Sequence, residues 1–205
     1  MIAVVDYGMG NLHSVRHALE AIGASVLVTQ RGEDLRRADR IVLPGVGAFA
    51  ECMKNLRSCG LLPALEEEVL EKGKPFLGIC LGLQVLASEG EEQGRHPGLG
   101  WVPGVVRRFE FSDTRFRVPH IGWNSITPKQ DSTLFQGLGS NPDFYFVHSY
   151  CLFPEDPTWI AASCDYGVQF SAAILHRNIF ATQFHPEKSQ RNGLRLLENF
   201  ASWRP

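Results

Sequence analysis

Cys80 sits in Pro75-Phe76-Leu77-Gly78-Ile79-Cys80-Leu81-Gly82-Leu83-Gln84, and His185-Pro186-Glu187 follows 105 positions downstream. A thiol, an imidazole and a carboxylate are the parts from which nucleophilic acyl transfer is built. The apolar run before Cys80 ends in a small-residue turn and a helix-patterned stretch follows, which predicts a strand-to-helix corner. Such a corner favours a thiolate, because the helix N-terminus favours negative charge. It also turns the free N–H groups of the first turn, Leu81's above all, toward any oxyanion formed there. Gly78 and Gly82 suit a turn with no room for Cβ atoms. A lone cysteine in an apolar run is ordinarily core; the glycines, the corner and Gln84 one turn along the same face point instead to a nucleophile. His185 ends the apolar strand Ile179–Phe184, and Pro186 stops the ladder there. In an extended chain residues 185 and 187 project to one side, so Glu187 can hold the histidine ring from behind. The chemistry to expect is cysteine-dependent amide cleavage.

Four further features of the sequence carry residue types that could do chemistry. Pro44-Gly45-Val46-Gly47-Ala48-Phe49 follows a strand and lacks the Gly-Lys-Ser/Thr of a phosphate loop. By itself it is a strand-to-helix turn, although its glycines let an N–H of Val46 or Gly47 serve as a second oxyanion donor. Asp6-Tyr7-Gly8-Met9-Gly10-Asn11 has His13 where a dinucleotide fingerprint needs its third glycine. No acid ends the second strand either, so a nicotinamide cofactor is excluded. His13 and His17 share a helix face without a third ligand nearby and read as solvated surface residues. In Phe146-Val147-His148-Ser149-Tyr150 the apolar residues read as core, leaving His148 and Ser149 at a strand end to meet a substrate.

The elements that must position these residues alternate in the first half. Ile2–Val5, Ser25–Val28, Arg40–Leu43 and Pro75–Ile79 read as short buried strands. Leu12–Ile22, Phe49–Leu56 and Leu62–Leu70 read as helices, the first capped by Asn11 and ended by Gly23. That order predicts parallel βαβ units with helices on both faces. After Gly90 the reading changes: 91–100 is a polar loop, and Val105–Phe111, Ile121–Ile126, Phe144–Tyr150, Trp159–Ser163, Ala172–Leu175 and Ile179–Phe184 are strands with little between them. This predicts an antiparallel or mixed section, closed by an amphipathic helix over Gln190–Trp203 with Ser189 as cap. At 205 residues with 44% apolar and 20% charged content, one α/β domain spanning 1–205 is expected. A net charge of −2 gives no case for a nucleic-acid partner. Five cysteines (52, 59, 80, 151, 164) without CxxC spacing exclude a disulfide framework. No signal peptide or membrane span is apparent, so a reducing, cytoplasmic setting is expected.

Gly78-Ile79-Cys80-Leu81-Gly82-Leu83-Gln84 together with His185-Pro186-Glu187 resembles the class I, triad-type glutamine amidotransferases. Val5-Asp6-Tyr7-Gly8-Met9-Gly10-Asn11-Leu12, Leu43–Phe49, Pro119-His120-Ile121-Gly122-Trp123-Asn124, Phe146–Tyr150 and His185–Ser189 resemble, more narrowly, the glutaminase subunits of imidazole glycerol phosphate synthase. The resemblance spans nearly the whole chain and implies a flavodoxin-like, largely parallel open sheet. It implies Cys80 as nucleophile on glutamine, His185 as proton shuttle and Glu187 as its orienter, with Leu81 and Val46-Gly47 around the oxyanion. Gly47, Gln84, Glu92, His148, Ser149 and Tyr150 match glutamine-contacting positions. Asn11, His120, Trp123 and Lys188 match positions near a (β/α)8 cyclase subunit and the ammonia entrance. No cofactor or metal is implied. Another triad hydrolase of γ-glutamyl substrates and a non-enzymatic binding module remain the alternatives; the Asp-Tyr-Gly and Pro-His-Ile-Gly-Trp-Asn segments speak against the first, the intact triad against the second.

Overall fold

The apolar runs of the first half form adjacent parallel strands. A computed structural model describes residues 1–113, 115–129 and 132–205. Its first half runs β1 (Ile2–Val5), α1 (Leu12–Ala21), β2 (Val26–Thr29), α2 (Gly32–Arg37), β3 (Arg40–Gly45), α3 (Phe49–Ser58), α4 (Leu62–Glu66, continued by a wider turn over Glu67–Glu71), β4 (Phe76–Cys80) and α5 (Leu81–Gln84). Then follow β5 (Ala87–Gly90), β6 (His96–Pro97), β7 (Val102–Arg108), β8 (His120–Pro128), β9 (Asp143–His148), β10 (Tyr150–Pro154), β11 (Ile160–Asp165), β12 (Gln169–His176), β13 (Ile179–Thr182) and α6 (Gln190–Ser202).

Nine strands make the main sheet in the order β2-β1-β3-β4-β13-β12-β11-β8-β9. It is parallel from β2 to β13 and antiparallel beyond, which bears out a mixed α/β sheet with an antiparallel second half. The pairing of β4 with β13, Gly78 opposite Ala181 and Ile79 opposite Thr182, brings the Cys80 strand against the strand that leads to His185. Alternate residues serve opposite faces. Ile2 and Val4 pack with Leu19 of α1 and Leu196 and Phe200 of α6, while Ala3 and Val5 pack with Leu35, Leu56 and Leu65 of α2, α3 and α4. Burial on both faces is why these strands are continuous apolar runs.

Four expectations change. The stretch after Cys80 is a single helical turn, and the chain then enters β5. A second sheet, β10-β7-β5-β6, packs through Val102, Val106 and Leu152 on the α3 side of the main sheet; part of the expected 91–100 loop is its β5–β6 hairpin. The strand read over Phe144–Tyr150 breaks at Ser149, where the chain leaves the main sheet for the second one. Asn11 does cap α1, accepting the Ser14 N–H at 3.3 Å, whereas Ser189 does not cap α6. Its hydroxyl instead donates to the His185 carbonyl at 2.6 Å and accepts the Tyr145 N–H at 3.0 Å, which ties the turn after His185 to β9.

Candidate active site

Cys80 occupies the corner between β4 and α5 with φ 54° and ψ −106°. A non-glycine residue adopts such a backbone only where its surroundings impose it. The surroundings are tight: a Cβ on Gly82 would stand 1.9 Å from the Leu43 carbonyl oxygen, and one on Gly78 would stand 2.6 Å from that of Gly82. Both glycines therefore serve close approach of backbone, as the spacing predicts. The corner leaves the first-turn N–H of Leu81 without a carbonyl inside its own helix.

His185 is buried, and its Nδ1 lies 2.8 Å from Glu187 Oε1. The expected extended geometry does not hold, because Pro186–Lys188 forms a single tight helical turn and the Glu187 side chain folds back beneath the ring. The carboxylate can only accept at neutral pH, so Nδ1 carries the proton and Nε2 is the working nitrogen. Nε2 is buried without a hydrogen-bond partner of its own. Burial acts to lower the pKa of this imidazole; the nearby Cys80 sulfur, chiefly through charge, and then Glu187 override it and hold the ring above its ordinary value. Nε2 is thus suited to take the proton of the Cys80 thiol as the sulfur attacks.

A cavity of about 460 Å³ opens over Cys80 and His185. Val46, Gly47 and Leu81 line it on the side of the expected oxyanion donors, and Gln84, Glu92, His148, Ser149, Tyr150 and Lys188 complete most of its wall. Gly47 has φ 101°, a conformation that favours glycine. The expected nucleophile, base, oxyanion and glutamine-contacting residues are therefore brought together, and Glu187 stands behind the ring. A larger cavity, about 640 Å³, is lined among the described residues by Thr127, Lys129, Ser132, Thr133 and Gln136, with no histidine, cysteine or carboxylate among those that line it; its Lys129 already donates to the carbonyls of Pro157 and Thr158.

The four expected interface residues separate by environment. Trp123 is 48% exposed beside Ile121 at 59%, Lys188 is exposed at the cavity rim, and Asn11 is the α1 cap. His120 is buried and forms no part of the exposed face. It stands behind that face in a chain of neutral rings. His148 Nδ1 donates to the Tyr150 carbonyl at 2.8 Å, which leaves His148 Nε2 to accept from His120 Nδ1 at 3.1 Å. His120 Nε2 then accepts from Asn124 Nδ2 at 3.4 Å. Burial pushes the His148 pKa down to about 3 and that of His120 to about 4. His13 and His17 are both exposed, and among the described residues no cluster of three or more His, Cys, Asp or Glu is placed to hold a metal.

Sequence reasoning missed Gln183 and Asn124. Gln183 is fully buried with Nε2 3.7 Å from Cys80 Sγ. Its signal was a polar residue inside the apolar strand read over Ile179–Phe184.

Comparison with known proteins bears on the chain as a whole. The family model described as glutamine amidotransferase class-I matches residues 3–202. The imidazole glycerol phosphate synthase subunit HisH of Syntrophotalea carbinolica is 50% identical over 204 residues, 98% of each chain. That of Thermosynechococcus vestitus is 51% identical over 203 residues, covering 98% of this chain and 96% of the relative. Among solved structures, a glutamine amidotransferase superposes with a TM-score of 0.75 at 20% identity, covering 98% of this chain and all of that one. PurLQS from Thermotoga maritima gives 0.72 at 19% identity, covering 98% and 96%; at such identities these two speak for the fold alone. With the family model spanning nearly every residue and relatives at half identity over full length, the chain belongs to the class-I glutamine amidotransferases and, within them, to the family of the HisH glutaminase subunit of imidazole glycerol phosphate synthase.

Proposed function

We propose that Cys80, His185 and Glu187 carry out the glutamine hydrolysis of this family. The chain hydrolyses L-glutamine and supplies ammonia to the cyclase subunit of imidazole glycerol phosphate synthase, a step of histidine biosynthesis. Cys80 passes its proton to His185 Nε2 as Sγ attacks the carboxamide carbon, and the carbonyl oxygen becomes an oxyanion facing the Leu81 N–H and one from Val46-Gly47. His185 Nε2 gives its proton to the departing nitrogen, which leaves as ammonia. His185 Nε2 then takes a proton from the water that attacks the thioester and returns it to the Cys80 sulfur as glutamate is released. Glu187 keeps Nδ1 protonated through both steps. Gln84, Glu92 and the His148-Ser149-Tyr150 corner would hold the amino-acid end of the substrate.

The observation that carries this reading is the buried His185–Glu187 pair, with Nε2 left free beside Cys80 at the floor of a cavity. The partner is read as a (β/α)8 cyclase subunit docking on the face of Trp123, Lys188 and Asn11. Ammonia is mostly protonated at neutral pH and is then no nucleophile, so a closed passage between subunits keeps it reactive. No helix among the described residues is long and apolar enough to cross a membrane, and the cytoplasm is the compartment we propose. The test is glutamate and ammonia release by the purified chain, alone and with the cyclase subunit and its nucleotide ligand. Low turnover alone that rises in the complex and vanishes in Cys80→Ala supports the reading. Full turnover without a partner would replace it with a free-standing γ-glutamyl hydrolase.

A further inference from the structure

The sulfur of Cys80 has a polar neighbour outside the triad. Gln183 follows β13 directly, its backbone N–H donates to the Ala172 carbonyl at 2.8 Å, and its side chain is fully buried. A carboxamide can turn either end toward a sulfur, and only its partners decide which. Here one backbone carbonyl decides. The oxygen of Tyr150 can only accept, and it receives Gln84 Nε2 at 2.9 Å. That fixes the NH₂ end of Gln84, whose second hydrogen goes to Gln183 Oε1 at 3.1 Å. With Oε1 engaged, Gln183 presents its NH₂ to Cys80 Sγ at 3.7 Å. The second lone pair of the Tyr150 oxygen takes His148 Nδ1, so the acceptor at the root of the chain is satisfied on both sides.

We propose that Gln183 is a positioning residue for Cys80, donating an N–H to Sγ so that the thiolate is favoured and the sulfur is held toward the cavity, with Gln84 and the Tyr150 carbonyl setting its orientation. The assignment rests on the reading of Cys80 as the nucleophile. A buried amide beside a sulfur has little packing to offer that an apolar side chain would not, whereas an N–H aimed at a thiolate stabilises the charged form over the neutral one.

The test reads the thiol itself, so it does not depend on glutamine turnover. The rate of Cys80 alkylation by iodoacetamide, followed by peptide mass spectrometry across pH, is compared in wild type, Gln183→Met and Gln183→Glu. Methionine keeps the volume and removes the donor. Its alkylation at neutral pH should fall by about threefold or more and recover in alkali, with the thermal midpoint close to wild type. Gln183→Glu should fall further, because a carboxylate offers no N–H and places a like charge at the sulfur. In the complex with the cyclase subunit, Gln183→Met should lower kcat while leaving KM unchanged. Alkylation profiles that superimpose on wild type would overturn the proposal, as would loss of folding in both variants, which would mark Gln183 as a packing residue. Turnover by Cys80→Ala would sink the nucleophile assignment instead, and the alkylation profile separates the two failures.

Discussion

The carboxylate of Glu92 accepts the backbone N–H of Phe49 at 2.7 Å, so one side chain closes the first turn of α3 and walls the cavity beside Cys80. Ala48, at the capping position, offers no side-chain acceptor, and Glu92 reaches across from the β5–β6 turn to supply one. It is also an anion at a helix N-terminus, where negative charge is favoured.

Glu92→Ala should therefore lower stability by about 1 kcal/mol, the usual loss for a missing N-cap acceptor. Glu92→Gln keeps an oxygen for the Phe49 N–H and should melt close to wild type. Both variants should raise KM for glutamine if the carboxylate also meets the substrate's ammonium group. Thermal melts and steady-state kinetics in the complex separate the two roles. An unchanged KM in Glu92→Gln would leave Glu92 as a cap only.

Cys80→Ala and Cys80→Gly should both abolish turnover, and their stabilities should differ in an unusual direction. Glycine ordinarily costs about 0.5–1 kcal/mol relative to alanine through unfolded-state entropy. At φ 54° and ψ −106° it also relieves strain worth about 1–3 kcal/mol. Cys80→Gly should melt no lower than Cys80→Ala. A clearly lower midpoint would mean that the corner is not strained.

Stability should fall in mild acid because His120 and His148 are buried as neutral rings. Their folded pKa values lie below the imidazole's ordinary value, so the unfolded chain takes up protons first as pH drops. The stabilisation is complete above about pH 6.5 and is lost as pH falls toward the folded values. Each ring contributes roughly 1.4 kcal/mol per pH unit in that window. Urea midpoints at pH 6.5 and 5.5 should differ accordingly, and the double variant His120→Gln, His148→Gln should flatten the dependence. Equal slopes in variant and wild type would place the titration elsewhere.

Trp123→Ala should leave the fold nearly intact, because the ring is 48% exposed and its aromatic contact is Tyr145 in an edge-on arrangement at 6.1 Å. With the partner docking on this face as proposed, affinity for the cyclase subunit should drop by about tenfold or more. Calorimetric titration of the two subunits measures the loss. An unfolding midpoint far below wild type would mark the residue as core.

The triad was legible because its chemistry is written locally: a thiol between glycines, a histidine and an acid two residues apart. The parallel half was legible for a similar reason, since strands buried on both faces must be continuous apolar runs. The second sheet was not. Leu83, Val85, Leu86 and Ala87 fit a helical face as well as a strand, and only the backbone contacts of Leu86 and Ala87 with Val102 and Gly100 decide for the latter. The break at Ser149 was hidden because both flanks alternate like one strand. Gln183 and Asn124 were invisible for a deeper reason. Their partners, Cys80 and Gln84 for one, His120 and the Asp165 carbonyl for the other, are set by tertiary register.

The pairing of β4 with β13 has a consequence for the chain while it is being made. Synthesis delivers Cys80 long before Ile179–Thr182 exist to flank its strand, and His185, Glu187 and Gln183 come later still. A nascent chain short of β13 carries a thiol with no base, no amide neighbour and no closed cavity. Proteolysis that removes the last strand and helix leaves the same inert remnant. Copies that end before His185 thus lack the base and its carboxylate, and by the proposed route such fragments cannot cleave glutamine.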